Sequence, residues 1–200
     1  MANLSFNLSD LFEQTFGYKT SAFTPVFNTL PFPRTTSVAG SPYYKQDALG
    51  REYFMPVTLM IPANTSDNTQ LESYDLPYPI ISISSRKTII ETPLTERRGT
   101  VKEVINTMDY EIVIKGFIIG TQGSFPEADV TKLRDAFEQN TAMSIKCPVT
   151  DIFLVRPGRS GSDMVVIKEL RFPPVTAIIN VRPYELHLVS DEPFSLVAIS

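Results

Sequence analysis

The stretch Tyr110-Glu111-Ile112-Val113-Ile114-Lys115-Gly116-Phe117-Ile118-Ile119 decides the fold class. Tyr110, Ile112 and Ile114 fall on one side of an extended chain, with Glu111, Val113 and Lys115 on the other. That period of two, carried by β-branched residues, marks a half-buried strand.

Working outward toward the N-terminus, residues 80–90 alternate in part and are rich in β-branched residues, which predicts a second strand. Between the two, residues 92–106 hold Pro93, Glu96, Arg97, Arg98, Gly99 and Lys102. This is the composition of a long hairpin whose charged tip reaches past the sheet.

Outward in the other direction, Ser124 and Glu127 have capping-box spacing, and Pro126 sits in the first turn. Val130, Leu133, Ala136 and Phe137 form an apolar stripe, so a helix is predicted from about 125 to 140. Strands are then expected at residues 143–147, 151–155, 164–170, 175–181, 184–189 and 194–199. The fourth breaks from the third at Pro173-Pro174, and the third is expected to pair back on the second across residues 157–161. In 184–189, Tyr184, Leu186 and Leu188 oppose Glu185, His187 and Val189.

The first 79 residues have a different texture. Ser9 could cap a short helix holding Leu11, Phe12 and Phe16, with Gly17 past its end. Residues 24–44 read as extended or turning chain, punctuated by prolines. A strand is predicted at 52–61, ended by Pro62, and a polar loop at 63–75. Phe23, Phe27, Phe32, Tyr43 and Tyr44 make this half too aromatic for an ordinary linker. They belong either on the protein's own core or on an adjacent subunit.

The expected architecture is mainly β with one helix (α+β), an antiparallel split barrel or sandwich with an irregular N-terminal arm. The arm and covering segment would occupy residues 1–77, with one short helix and a strand. The β domain would occupy residues 78–200.

Composition narrows the function. A formal charge of −4 is the wrong sign for a protein that grips phosphates, so sequence-specific nucleic-acid binding is not expected. The apolar runs are far shorter than the roughly 20 residues of a membrane-crossing helix. Asp10 and Glu13 precede the first basic residue, Lys19, which is the reverse of a secretory leader.

Catalysis has little to work with. Cys147 and His187 are the only cysteine and histidine, so a small hydrolase with a thiolate nucleophile would need that pair. Each has a plainer reading, as a buried small hydrophobe and as a half-exposed strand residue. One cysteine and one histidine cannot build a zinc site, and no carboxylate run has calcium-loop spacing. Gly116, Gly120 and Gly123 do not make a phosphate-binding loop. Asp109, Glu111, Glu127 and Asp129 suit a strand edge and a helix start. No cofactor is called for.

The remaining signals concern association. Arg97, Arg98 and Lys102 sit on one loop or its flank, and Arg156 and Arg159 on another, in an otherwise acidic chain. Complementary contacts between subunits would use them. The contrasting expectation is a receptor- or glycan-binding module, with a concave site built from Tyr43, Tyr44, Tyr53 or Tyr74.

Several runs resemble tail proteins of bacteriophages and contractile injection systems, of the tail-tube or baseplate type found as uncharacterised proteins of Bacteroidetes phages. They are Ile81-Ser-Ile-Ser-Ser-Arg-Lys-Thr-Ile-Ile-Glu-Thr, Arg98-Gly-Thr-Val-Lys-Glu and Asp109-Tyr-Glu-Ile-Val-Ile-Lys-Gly. Phe125-Pro-Glu, Val166-Ile-Lys and Leu188-Val-Ser-Asp-Glu-Pro-Phe continue the likeness. It covers about residues 78–197. The resemblance implies a ring of copies, commonly a hexamer, docked to other tail or baseplate proteins. The hairpin would reach a neighbour, and DNA would pass through an acidic lumen. The implied location is the virion tail, assembled in the bacterial cytoplasm.

Overall fold

A computed structural model of the chain describes residues 8–17, 43–46, 52–62, 71–95, 98–120, 123–155, 163–175 and 179–192. Among them, the body is an open seven-stranded antiparallel sheet. Its strands, in chain order, are β3 (Val57–Pro62), β4 (Leu71–Leu76), β5 (Ile80–Ser84), β8 (Glu111–Ile119), β9 (Met143–Lys146), β10 (Met164–Arg171) and β11 (Val181–Ser190). In space they run β4-β3-β9-β10-β11-β8-β5. Two smaller antiparallel sheets pair β1 (Tyr44–Gln46) with β2 (Glu52–Phe54), and β6 (Lys87–Pro93) with β7 (Thr100–Thr107).

The deciding strand is β8, paired with β11 along its length, from Glu111 opposite Val189 to Ile119 opposite Val181. The alternation predicted for it is present. Ile112, Ile114 and Ile118 enter the main core with Tyr184, Leu186 and Leu188 of β11, while Phe117 points to the other face. Burying each such side chain contributes about 1.5–3 kcal/mol relative to exposure.

Gly116 is a glycine because of its partner across the ladder. It faces Tyr184, whose hydroxyl donates to the Pro77 carbonyl at 3.0 Å. A Cβ at residue 116 would stand 2.5 Å from that hydroxyl oxygen.

Helices cover both faces. On the main core side lie α2 (Glu127–Glu138) and α3 (Pro148–Leu154), which bury Leu133, Ala136 and Leu154. On the other face α1 (Leu8–Phe16) packs Leu11 and Phe12 against Phe117 and Val181. The rings of Phe12 and Phe117 meet edge to face at 4.5 Å. Lys115 Nζ lies 5.3 Å from the centre of the Phe16 ring. Gly17, at φ +76°, ends α1 in the left-handed conformation that glycine tolerates.

The α+β class with predominantly antiparallel strands is as expected. The main sheet does not close into a barrel, because β4 and β5 are its two edges. Three helices are present among the described residues, rather than one in the body and one in the arm.

Several local expectations are corrected. Residues 151–155 were expected as a strand but lie largely in α3. Pro148 presets the first turn, and the Asp151 N–H donates to the Cys147 carbonyl at 2.9 Å. β10 consequently pairs with β9 and β11 rather than with residues 151–155. The polar stretch 63–75 ends in a strand, β4, with Glu72 and Ser73 exposed and Tyr74 buried. An edge strand needs apolar residues on one face only.

The strand predicted at 52–61 is split by Met55, at φ +55° ahead of Pro56. The strand predicted at 80–90 breaks at Ser85-Arg86 into β5 and β6. Residues 175, 179 and 180 are not in a strand, so β11 starts at Val181. The capping box is not formed either. Pro126 holds the N-cap position of α2 without a side-chain cap. The strand predicted at 194–199 lies outside the described residues.

Candidate assembly surfaces

β5 and β8 do not stop at the sheet margin. Beyond Ser84 and Glu111 the two chains continue side by side, joined by the Met108 N–H donating to the Arg86 carbonyl and by the Ser85 hydroxyl donating to the Met108 carbonyl, both at 2.8 Å. They then become β6 and β7, a two-stranded ribbon. Eight residues of β7 reach roughly 25 Å at about 3.3 Å each.

Every residue of both ribbon strands is exposed. Yet Ile89 faces Val104 across the ladder, Ile90 faces Glu103 and Thr92 faces Val101. Val104 is 61% exposed, Ile105 58% and Met108 at the base 54%. The ladder shifts register between Thr88 and Ile89, and such a bulge strengthens local twist. A lone two-stranded ribbon is marginal in water, and this one sets aliphatic residues on both faces without a core between them.

Its charges are partly self-paired. Lys102 Nζ lies 3.5 Å from Glu91 Oε1, and the Thr100 hydroxyl donates to Glu91 at 3.4 Å. Arg98 is exposed next to Gly99 at the tip. Lys102 thus lies on β7 and Arg98 just ahead of it. Arg97, Arg156, Arg159, Phe23 and Phe27 lie outside the described residues. Tyr43 is exposed beside the β1–β2 pair, and its carbonyl accepts the Met55 N–H at 2.8 Å. Tyr44 is described only as backbone of β1.

The hydrolase geometry is not formed. Cys147 is buried in the main core at the start of α3, and burial pushes its thiol pKa up. His187 follows Leu186 and precedes Leu188, both core residues, so it projects from the opposite face of the sheet. Its Nε2 lies 3.1 Å from Glu185 Oε1. A raised thiol pKa and a sheet between the two groups remove the thiolate–imidazole pair.

Two of the four tyrosines expected to build a glycan-binding site, Tyr53 and Tyr74, do not line an open surface. Tyr53 and Tyr74 are buried, and the Tyr74 hydroxyl donates to the Asp129 carbonyl at 3.5 Å. Burial, with Asp129 and Asp75 nearby, raises its pKa.

On the face that carries α1, Glu185 is buried between Lys115, whose Nζ is 3.0 Å away, and His187. Burial opposes its charge, but hydrogen bonds from Lys115 and His187 more than offset that and hold its pKa below the usual range. Asp163 shows the same balance between burial and its partners Lys146 and Ser144. Asp75, paired with Lys45 and accepting from Thr58 at 2.6 Å, does likewise. These pairs tie loops and strands together. No group of His, Cys, Asp and Glu among the described residues could hold a metal ion, and no helix there is long and apolar enough to cross a membrane.

Residue-type reasoning had put the interaction signal on arginines. The structure adds the aliphatics of β6 and β7, which the sequence displayed as two β-branched runs around Gly99 without showing that neither face is covered.

Comparison with known proteins gives a family. No curated protein matches the chain significantly. Two solved chains are similar over 70% of this one. One, from the virion of a native gene transfer agent particle, is 17% identical and covered over 95% of its length, with a TM-score of 0.36. The other, from the tail of an empty gene transfer agent particle with C6 symmetry, is 15% identical and covered over 96%, with a TM-score of 0.35. Residues 75–199 match a family described as a domain of unknown function, DUF6046. With that match extending over more than half of its length, the chain is a member of the DUF6046 family.

Proposed function

We propose that this protein is a structural component of a phage or phage-like tail, working by assembly into a ring of copies and by docking to neighbouring tail proteins. The observation that carries this reading is the β6–β7 ribbon: an extended arm with Ile89, Ile90, Val101, Val104 and Ile105 exposed on a pair of strands without a core. Such a surface gains stability when another chain buries it. The sequence resemblance to tail-tube and baseplate proteins points the same way.

Charge supports contact between copies. Across residues 86–103, Arg86, Lys87, Arg97, Arg98 and Lys102 outnumber Glu91, Glu96 and Glu103, while the whole chain carries −4. A positive arm therefore meets a negative body on its neighbour. Arg97, Arg156 and Arg159 would add to such contacts, and Phe23, Phe27, Tyr43 and Tyr44 of an arm within residues 1–77 would lock them.

Topology constrains the seam. Seven antiparallel strands place β4 and β5, the two sheet edges, in the same direction. Rotation about an axis along the strands would bring β5 of one copy beside β4 of the next in parallel. A two-fold pairing of β5 with β5 would instead be antiparallel and would close as a dimer. In the proposed particle the ring is a tube initiator, baseplate or tail-terminus element with six copies. Its acidic balance leaves DNA free to slide through the lumen, and it forms in the host cytoplasm before joining the virion tail.

The test is the mass of the purified protein over a range of concentrations, with negative-stain imaging. Rings or stacked tubes, lost on Val104→Asp, are expected. A monomer at every concentration, with or without tail neighbours, would reject the reading.

A further inference from the structure

β6 and β7 form a ladder, so cross-strand partners share a face and successive residues alternate between faces. One face therefore carries Ile89 with Val104, Glu91 with Lys102, and Lys87 at its base. The other carries Ile90 with Glu103, and Thr92 with Val101. Ile105 is the extra residue of the bulge and has no place in either set.

Both faces are aliphatic and both are open: Ile89 and Val104 are exposed on the first, Ile90 and Val101 on the second. Their charges differ. Lys87 and Lys102 outnumber Glu91 on the first face, which is basic. Glu103 is the one charged residue among those of the second, which is acidic. Arg86 and Arg98 lie outside both strands and are left to meet the acidic body.

Covering one face leaves the other bare, so a one-sided contact does not satisfy this arm. The two faces point in opposite directions and cannot meet within one chain. A second copy of the same ribbon matches each of them, aliphatic pair to aliphatic pair and charge to opposite charge.

We propose that the ribbons of neighbouring copies stack on one another, the basic face of one on the acidic face of the next. The inference rests on the assembly reading and names the contact that the arms make. Because the two faces differ, the contact runs head to tail and passes from copy to copy instead of closing as a dimer. Stacked sheets lie about 10 Å apart, which lets Ile89 and Val104 interdigitate with Ile90 and Val101. A face roughly 25 Å long and 10 Å wide is smaller than a stable pair needs. The arms therefore add to the contact between bodies and do not replace it.

Mixing charge-reversed chains tests it. In the full-length protein, Lys87→Glu makes both faces acidic and Glu103→Lys makes both basic. Alone, each variant is expected to assemble on the order of tenfold more weakly than the wild type, like charges now facing each other. The readout is the concentration at which light scattering reaches half the assembled mass. An equimolar mixture is expected to return to the wild-type concentration, since the acidic faces of one chain meet the basic faces of the other. Wild-type assembly by either variant alone would overturn the proposal, and so would a mixture no better than its components. Those results leave wild-type assemblies standing and strike only the stacking, whereas a wild-type chain that stays monomeric strikes the assembly reading with it.

Crosslinking keeps the question answerable should charge reversal disturb the ribbon itself. Two chains carrying Cys147→Ala are mixed, one with Val104→Cys on the basic face and one with Ile90→Cys on the acidic face. In the assembled mixture a short bis-maleimide is expected to join position 104 to position 90 in preference to like positions. A preference for like positions, or no link between ribbons, would contradict the inference.

Discussion

The β8–β11 pair and the β6–β7 ribbon are written in the same alphabet yet end in opposite environments. Both are antiparallel ladders rich in isoleucine and valine. In the first, Ile112, Ile114, Leu186 and Leu188 are sealed in the core; in the second, Ile89, Ile90, Val101 and Val104 face outward. A single hairpin runs through both, since β5 continues into β6 and β7 into β8. What separates them is cover: α2 and α3 lie over the core face of the sheet, and α1 lies on its other face. Hydrophobic content fixes where a strand forms, and only the neighbouring elements decide whether it stabilises the fold or remains open to a partner.

The largest blow to the buried half should come from Leu186→Ala. It removes a fully buried side chain from β11, an interior strand of the main sheet, and is expected to cost about 2–5 kcal/mol, measured by denaturant unfolding. Gly116→Ala is expected to cost about 1–3 kcal/mol by overpacking, because the new methyl meets the Tyr184 hydroxyl. Tyr184→Phe combined with Gly116→Ala should recover part of that loss. No recovery would mean that the obstacle is the ring carbon that phenylalanine keeps, 2.7 Å from the new methyl, or the Pro77 carbonyl oxygen at 2.9 Å.

A smaller effect is expected from pH. The Glu185 carboxyl titrates lower in the folded chain than its ordinary value of about 4.3, so the folded state holds fewer protons than the unfolded one. Its contribution is complete above that ordinary value and disappears as pH falls through the lower folded value. Asp163 and Asp75 act in the same direction. Lys115→Met should move the acid-unfolding midpoint to higher pH, read by circular dichroism. An unchanged midpoint would show that the pair does not act. Smallest of all, Val104→Asp on the ribbon is expected to change stability by less than about 0.5 kcal/mol. A large loss would mean that the ribbon is part of the core after all.

Much of the buried half was legible in the sequence. β8 and β11 announce themselves because one face of each is continuously apolar, and the stripe of Val130, Leu133 and Ala136 marks α2. The less legible elements are those whose pattern is incomplete. β4 alternates Glu72, Tyr74 and Leu76 with Ser73 and Asp75, and reads as a polar loop because an edge strand needs few apolar residues. α3 carries Ile152 and Phe153, with Val155 just after it, on a run too short to show a helical period, so its resemblance to a strand misled. Pro148 and Asp151 were its only start signals. The ribbon was legible as a hairpin but not as a surface, since exposure is a property of what packs nearby. Charge drew attention to Arg97 and Arg98, whereas the aliphatics behind them are the larger exposed feature.

The most direct test of the assembly account compares the wild-type chain with an Ile90→Asp, Val104→Asp double variant by light scattering at matched concentrations, with thermal unfolding of both alongside. The account predicts assemblies of many copies for the wild type and monomers for the variant, which still unfolds in one cooperative thermal transition. Equal masses for two folded proteins would contradict it.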